Sequence, residues 1–370
     1  MKKIVVDQMA LHQIPELGYA EHKTHAYLWQ ALLALAPDAL IKLADTGIKA
    51  VFLANNAKRT IAYRADIDAL SIEENTGLPY ASKHPGCMHA CGHDAHMAIA
   101  LSGARYAAAL RNSAALKANC VFLFQPAEES IGGAQRMIEQ GALEEPHVDE
   151  IYAMHVMPQV GIGSIGLKSG ALMAATTELD ITLDGRAAHG AAPHLGADAI
   201  AAGTHLYALL QTLFSRQLDP MQPVLFTVGR FTAGDRRNII ARHALLEAML
   251  RSFSNESMQK ALSVINEAAL SLKSAFSLAD VRVDPVTIYP AVMNDEGVIA
   301  RLQTLLEDKA VPALPQMTAE DFSFFTQARP GAMLFLGMGG QVPLHSDKLI
   351  VTPETLYTGE EILHRIIQAG

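Results

Sequence analysis

The chain has 370 residues, of which 50% are hydrophobic and 18% charged, and its formal net charge is -9. That length suits two or three domains, the apolar content excludes a mainly disordered chain, and the acidic balance argues against general nucleic-acid or anionic-membrane binding. No apolar run approaches the roughly 18 residues that span a bilayer, and the opening MKKIVVDQ has too short an apolar patch for a signal peptide. Three cysteines make no disulfide framework, so a reducing cytoplasm is the expected compartment.

In chain order, the first 36 residues read as helix, break, helix, with Pro15 and Gly18 as the break. Residues 60–66 (TIAYRAD) read as a strand ending in acid, and 93–110 as a buried Ala- and Leu-rich helix. CVFLFQPAEE (120–129) is an apolar strand that stops at Pro126 and delivers two carboxylates. EIYAMHVMP (150–158) is a third such strand, with His155 near its end. Strands alternating with helices predict an α/β sheet covered on both faces, with ligand groups just past the carboxyl ends of the strands.

The pattern changes after about residue 172. Residues 176–185 alternate polar and apolar, which suits a strand with one wet face. A helix near 197–216, strands at 224–231 and 243–253, a helix near 255–275 and a strand at 281–290 complete a small α+β sandwich of the ferredoxin-like type. After Pro290 the chain returns to helices and a strand at 333–339. The expected organisation is a larger α/β domain of residues 1–172 and 292–370, interrupted by a domain of residues 173–291.

The strongest chemical constellation is MHACGHDAH (88–96), with Cys91 and His93 two apart on a glycine turn and Asp94 and His96 beside them. Thiolate and imidazole suit borderline divalent metals. In QPAEE (125–129), adjacent carboxylates fit a metal ligand next to a general base. His155 and His345 each end an apolar stretch and are candidates to complete a site. Asp66 and Asp68 of RADID are candidates to orient a ligand. Taken singly, each has a plainer reading: a packed thiol, a solvated helix start, a satisfied histidine. Their coincidence at strand ends favours a metal. GIGSIG (161–166) matches the dinucleotide fingerprint, but no room for a crossover helix follows it.

LHQIPELGYAE, YRADIDALSIEENTGLPYAS, MHACGHDAH, FQPAEE followed by GGA, HV, GRAAHGAAPH, NII, EDFSFF and LHS occur in this order over nearly the whole chain. The set resembles the amidohydrolase branch of the dinuclear-metal aminoacylase and carboxypeptidase superfamily, which includes hippurate, N-acyl-amino-acid and auxin-conjugate hydrolases. RADIDALSIEENTGLPYAS and the short length are most similar to the bacterial deacetylases of the lysine pathway. The resemblance implies a mixed-sheet α/β catalytic domain of the zinc-exopeptidase type with an inserted α+β ferredoxin-like lid domain that also serves dimerisation. It implies two divalent metal ions (Zn, Mn, Co or Ni), with Cys91 bridging them and His93, Glu129, His155 and His345 as the other ligands. Glu128 is then the general base, Asp66 a catalytic carboxylate behind the ligands, and His189 the lid histidine that polarises the scissile carbonyl, in some members from a partner subunit. Asn238 and Arg251 match lid positions that hold the substrate carboxylate. The implied reaction removes the acetyl group of N-acetyl-LL-2,6-diaminopimelate, with a broader N-acyl-amino-acid or hippurate-type amidohydrolase as the alternative. Two motifs depart from the usual form: GRAAHG stands where GKGGHA is common, and LHSDKL where LHSPxF is common.

Overall fold

The computed structural model describes residues 1–340 and 342–370, with side chains throughout except at 286–288. The chain divides into two compact units: Met1–Leu172, Val292–Leu314 and Asp321–Gly370 form one, and Met173–Ala291 with Pro315–Glu320 the other.

The first unit opens with α1 (Lys3–His12), α2 (His22–Leu33), β1 (Ala39–Leu43), β2 (Gly47–Phe52), β3 (Thr60–Asp66), α3 (His93–Asn112), β4 (Asn119–Gln125), α4 (Ala134–Glu139), β5 (Glu150–Met157), β6 (Ile165–Leu167) and β7 (Gly170–Met173). The second unit follows with β8 (Ala175–Asp184), α5 (Ala199–Gln217), β9 (Val224–Ala233), β10 (His243–Ser252), α6 (Asn255–Ala275) and β11 (Asp280–Tyr289). The chain then returns to the first unit with β12 (Val292–Asn294), α7 (Glu296–Leu305), β13 (Ala310–Pro312), α8 (Ser323–Ala328), β14 (Gly331–Gly337) and α9 (Pro353–Ala369).

The first unit is built on a mixed sheet in the order β1-β2-β4-β3-β5-β14-β6-β13. Strands β4, β3, β5 and β14 run parallel, and β2 and β6 flank them antiparallel. Every residue of β3 and β14 is buried, as expected of strands covered on both faces. Helices α1, α3 and α9 share one apolar core with these strands, including Leu11, Ile99, Phe122, Leu336 and Leu363. Parallel pairing carries Asp66, Gln125 and the end of β5 to the same rim of the sheet.

The second unit is a four-stranded antiparallel sheet in the order β11-β8-β10-β9. With two helices, α5 and α6, supplying Leu206, Leu210, Ile265 and Ala269 to its core, this is the ferredoxin-like arrangement. The segment 315–320 belongs here because the Ala174 N–H donates to the carbonyls of Gln316 and Thr318 at 3.1 and 3.0 Å. The expected boundaries placed it in the other domain. GIGSIG leads into the short strand β6 and is followed by β7, with no helix opening at its third glycine. A nucleotide-binding turn is therefore not what this motif forms.

Candidate metal centre

The site is assembled from five strand ends and turns of the first unit. Cys91 sits in the turn before α3. Gly92 follows with φ of +82°, and a Cβ there would stand 2.5 Å from Val156 Cγ2, so only glycine allows the turn to seat on β5. His93 then opens α3, and its Nδ1 donates to the Asp68 carbonyl at 2.9 Å. His155, on β5, donates Nδ1–H to the Val156 carbonyl at 2.8 Å. Pro126 ends β4, and the turn behind it is held by the Ala127 N–H on Glu21 Oε1 (2.9 Å) and the Glu129 N–H on Asp68 Oδ2 (2.9 Å). The His345 N–H donates to the Ala90 carbonyl at 2.8 Å, which docks the LHSD loop beside Cys91.

These bonds engage the backs of the side chains and leave the other donors facing one another. Cys91 Sγ lies 3.4 Å from His155 Nε2. Nε2 of His93 lies 3.9 Å from both Glu128 Oε2 and Glu129 Oε1, and His345 Nε2 lies 3.3 Å from Glu129 Oε1. Groups of mutually close donors include Cys91–His93–His155 and Cys91–Glu129–His345, with Cys91 in both, and His93 also groups with Glu128 and Glu129 and with Asp66 and His96. Buried His93 Nε2, Glu129 Oε1 and Asp68 Oδ1 have no hydrogen-bond partner. Such orphaned polar atoms are costly in a folded protein unless something binds them. A thiol, three imidazoles and a carboxylate, with ring nitrogens oriented by bonds from behind, fit a pair of borderline divalent cations.

The electrostatics point the same way. Burial, reinforced by Glu129 and Glu128, pushes the Cys91 thiol well above its ordinary range. Burial works against charge on His93, but Asp66, Asp68 and Glu129 outweigh it and raise the imidazole to about 10. For His155, burial and the neighbouring His96 lower the pKa to about 3, so it is a neutral ring whose Nε2 faces Cys91 Sγ. Glu129 is held below its usual range by His345 and His93 despite burial. The carboxylates thus recruit a proton onto His93 where a cation would serve.

Asp66 takes a different place from the one expected of a carboxylate directly behind a ligand. Its oxygens accept from Arg64 Nη1 and His96 Nδ1, each at 2.7 Å, and stand 3.7 Å from the ligating-side Nε2 of His93. Asp68 stands behind His93 and Glu129 instead, its backbone carbonyl accepting from His93 Nδ1 and its carboxylate Oδ2 from the Glu129 N–H. His96 accepts the Val156 N–H at 2.9 Å and so fixes Asp66 against β5. Fully buried Arg64 also donates to Asp321 Oδ1 (2.9 Å), and Asp321 accepts the N–H groups of Gly133 and Ala134. His96, Arg64 and Asp321 acquire their place only through these contacts. The signal was present in the quoted RAD, DAH, GGA and EDF segments, but only folding shows that they interlock.

In the second unit, His189 is exposed. Its Nδ1 accepts the Ala191 N–H at 3.1 Å, which leaves the proton on Nε2 as an outward donor. Asn238 lies next to it, bridged by the Gly190 N–H to the Asn238 carbonyl at 2.8 Å. Arg251 is not with them. It lies near the far end of β10 and donates to the Met317 carbonyl at 2.7 Å, and the eight residue steps from His243 to Arg251 span about 26 Å.

Residues 62–369 match the model of peptidase family M20/M25/M40. The chain belongs to this family. This M20/M25/M40 member is 39% identical, over the full length of both chains, to N-acetyldiaminopimelate deacetylase of Listeria monocytogenes serotype 4a (strain HCC23). It is 38% identical to N-acetyldiaminopimelate deacetylase of Bacillus subtilis (strain 168), with 98% of this chain and 97% of the relative covered. Among solved structures it resembles a dinuclear metal binding peptidase of the M20 family from Bacillus subtilis, with a TM-score of 0.86, 28% identity and coverage of 99% and 97%. Aminopeptidase PepT from Bacillus cereus shares the fold, with a TM-score of 0.77 at 19% identity and coverage of 99% and 97%. Among the described residues, no helix of this M20/M25/M40 chain is long and apolar enough to cross a membrane.

Proposed function

We propose that the chain is a metal-dependent amide hydrolase that converts N-acetyl-LL-2,6-diaminopimelate and water to LL-diaminopimelate and acetate. The observation that carries the chemistry is the buried donor cluster around Cys91, with orphaned His93 Nε2 and Glu129 Oε1. The substrate follows from full-length relatives at 38–39% identity that bear that name. Two divalent ions would be held by Cys91, His93, His155, Glu129 and His345. When bound, they supply Lewis acidity and lower the pKa of water at the site.

The protein's own groups do the rest. Glu128 sits beside the donors, its Oε2 3.9 Å from His93 Nε2, and it takes a proton from water as the oxygen attacks the acetyl carbonyl carbon. The His189 Nε2–H stabilises the oxyanion that develops there. Glu128 passes the proton to the amine nitrogen as the C–N bond breaks. Asp68 holds the ring of His93 and the backbone of Glu129, and Asp66 braces the centre through Arg64 and His96.

Asn238 and Arg251 lie toward opposite ends of β10, so within one chain they do not grip a single carboxylate. A homodimer removes the conflict, with Asn238 and Arg251 of different subunits meeting one substrate. In support, β9 is a sheet edge without a buried residue and leaves Leu225 and Phe231 about 40% exposed. The cytoplasm is the proposed compartment, as expected of a biosynthetic hydrolase with free cysteines.

The test is acetate release from N-acetyl-LL-diaminopimelate, N-acetyl-ornithine, N-acetyl-methionine and hippurate, before and after chelation. Preferred turnover of the first, lost with chelator and restored by a divalent metal, is expected. Equal turnover of all four would replace the substrate assignment with a general acyl-amino-acid hydrolase.

A further inference from the structure

Residues 126–133 form the turn that carries Glu128 and Glu129. Its backbone is not in a conformation the chain prefers: Ala127 has a φ of +60°, a left-handed geometry that is costly for a residue with a Cβ. Ser130 and Ile131 on its outer side are exposed, so packing does little to hold it. Hydrogen bonds hold it instead. The Gly132 N–H closes on the Ala127 carbonyl at 3.0 Å, and Glu21 and Asp68 accept the Ala127 and Glu129 N–H groups. The two ends touch, since a Cβ on Gly133 would stand 2.0 Å from the Pro126 carbonyl oxygen. Asp321 secures the far end.

Asp321 stands just before α8 and is fully buried. Its Oδ2 accepts the Gly133 N–H at 2.8 Å and the Ala134 N–H at 3.0 Å. Its Oδ1 accepts from Arg64 Nη2 at 2.9 Å, and Gln125 Nε2 lies 2.8 Å from both oxygens. All four neighbours are donors, and an ionised carboxylate, which only accepts, is the side chain that satisfies them together. Arg64 lies on β3 and Gln125 ends β4, so this one carboxylate ties the far end of the turn to the buried sheet. Strained backbone persists only where the surroundings over-determine it, and it concentrates at functional sites.

We propose that Asp321 is a positioning residue for Glu128: by locking the far end of the turn to β3 and β4, it fixes Glu128 where it takes the proton from water. This rests on the hydrolysis proposed above. Glu129 has its own anchor in the bond from its N–H to Asp68, so Asp321 governs the base rather than the metal ligand beside it.

The test is Asp321→Asn, which keeps the shape but must turn an NH2 group on one of the four donors. In metal-loaded protein kcat should fall about 10²-fold, the scale of a misplacement of about 1 Å, with KM within about twofold of wild type. Metal content by elemental analysis should not change. Amide hydrogen exchange read by mass spectrometry should quicken at least about tenfold in residues 126–134, in metal-loaded and in chelator-treated protein alike. In Glu128→Gln protein, Asp321→Asn should cost no further activity, because the group it positions is already gone. Circular dichroism checks folding. If Asp321→Asn does not fold, Gln125→Met, which removes one of the four donors, is measured in the same way, with an expected loss of about tenfold in kcat. Wild-type kcat in the folded variant, a loss of kcat matched by a loss of metal, or a further loss in the Glu128→Gln background would each overturn the proposal. Wild-type protein that releases no acetate would defeat the hydrolysis itself; exchange in residues 126–134 then decides alone, and a rate unchanged by Asp321→Asn overturns the role of Asp321.

Discussion

The two units treat water differently. In the first, whole strands are buried and the metal-binding candidates cluster in groups whose ligand atoms lie within 4.8 Å of one another, most of them out of solvent. In the second, burial alternates along β10, β9 has no buried residue, and His189 and Asn238 lie on exposed loops. Charge is concentrated where water is excluded, so it is strongly coupled and demands a cation. The groups assigned to contact substrate are displayed where they are free to meet it. The first unit should therefore respond to mutation through proton transfer, metal content and stability, and the second through turnover alone.

The largest expected effect separates chemistry from metal binding inside the first unit. Glu128→Gln should lower kcat by about 10³-fold or more, within the range for a general base, while metal content by elemental analysis stays at the wild-type level. Retained turnover would remove Glu128 from its role.

The next tests the exposed loop. His189→Ala should cost about 10²–10³-fold in kcat, as for loss of an oxyanion donor, with metal content and melting temperature unchanged. Mixing Glu128→Gln and His189→Ala proteins under subunit exchange should restore activity, because one mixed site has both groups. Failure to complement, with mixed dimers verified by mass, would return His189 to its own chain.

The smallest effect probes the buried charge next to the centre. His12 Nδ1 lies 2.8 Å from Asp94 Oδ2 and His12 Nε2 3.3 Å from Glu74 Oε1. Burial opposes charge on His12, but Asp94 and Glu74 outweigh it and raise the pKa to about 9. Burial likewise opposes charge on Asp94, yet His12 holds it down to about 2. A raised histidine stabilises fully below its unfolded value near 6.5 and loses the contribution as pH climbs through 9; a depressed aspartate stabilises above about 3.8 and loses it as pH falls toward 2. His12→Gln should therefore cost about 2–3 kcal/mol near pH 5–6, read by urea denaturation, and less at pH 9 and above. A cost independent of pH would show that packing rather than charge is at stake.

Much of this was legible in the chain. The apolar runs at 60–66, 120–125 and 150–157 are strands because parallel strands buried on both faces must be apolar throughout. Strands β1 and β2 are not legible in this way. In β2, Lys49 interrupts the apolar pattern, yet it is 1% exposed because its Nζ donates to the Gly141 and Glu144 carbonyls. Short strands such as β6 and β13 have three residues each, too few to show a period. Asp66 and Asp68 could not be ranked from RADID, since their roles depend on which partners folding brings: Arg64 and His96 for one, His93 and Glu129 for the other.

The sequence by itself singled out the side chains that come together around Cys91, the strand ends that carry several of them and the α+β pattern of residues 176–290, because ligand chemistry and hydrophobic period are local properties of residue type and spacing. Only the tertiary structure decided which aspartate stands behind His93 and Glu129, and that Arg251 and Asn238 lie toward opposite ends of β10. Each of those depends on contacts between residues far apart in the chain, and spacing along the chain does not encode distance through a packed core.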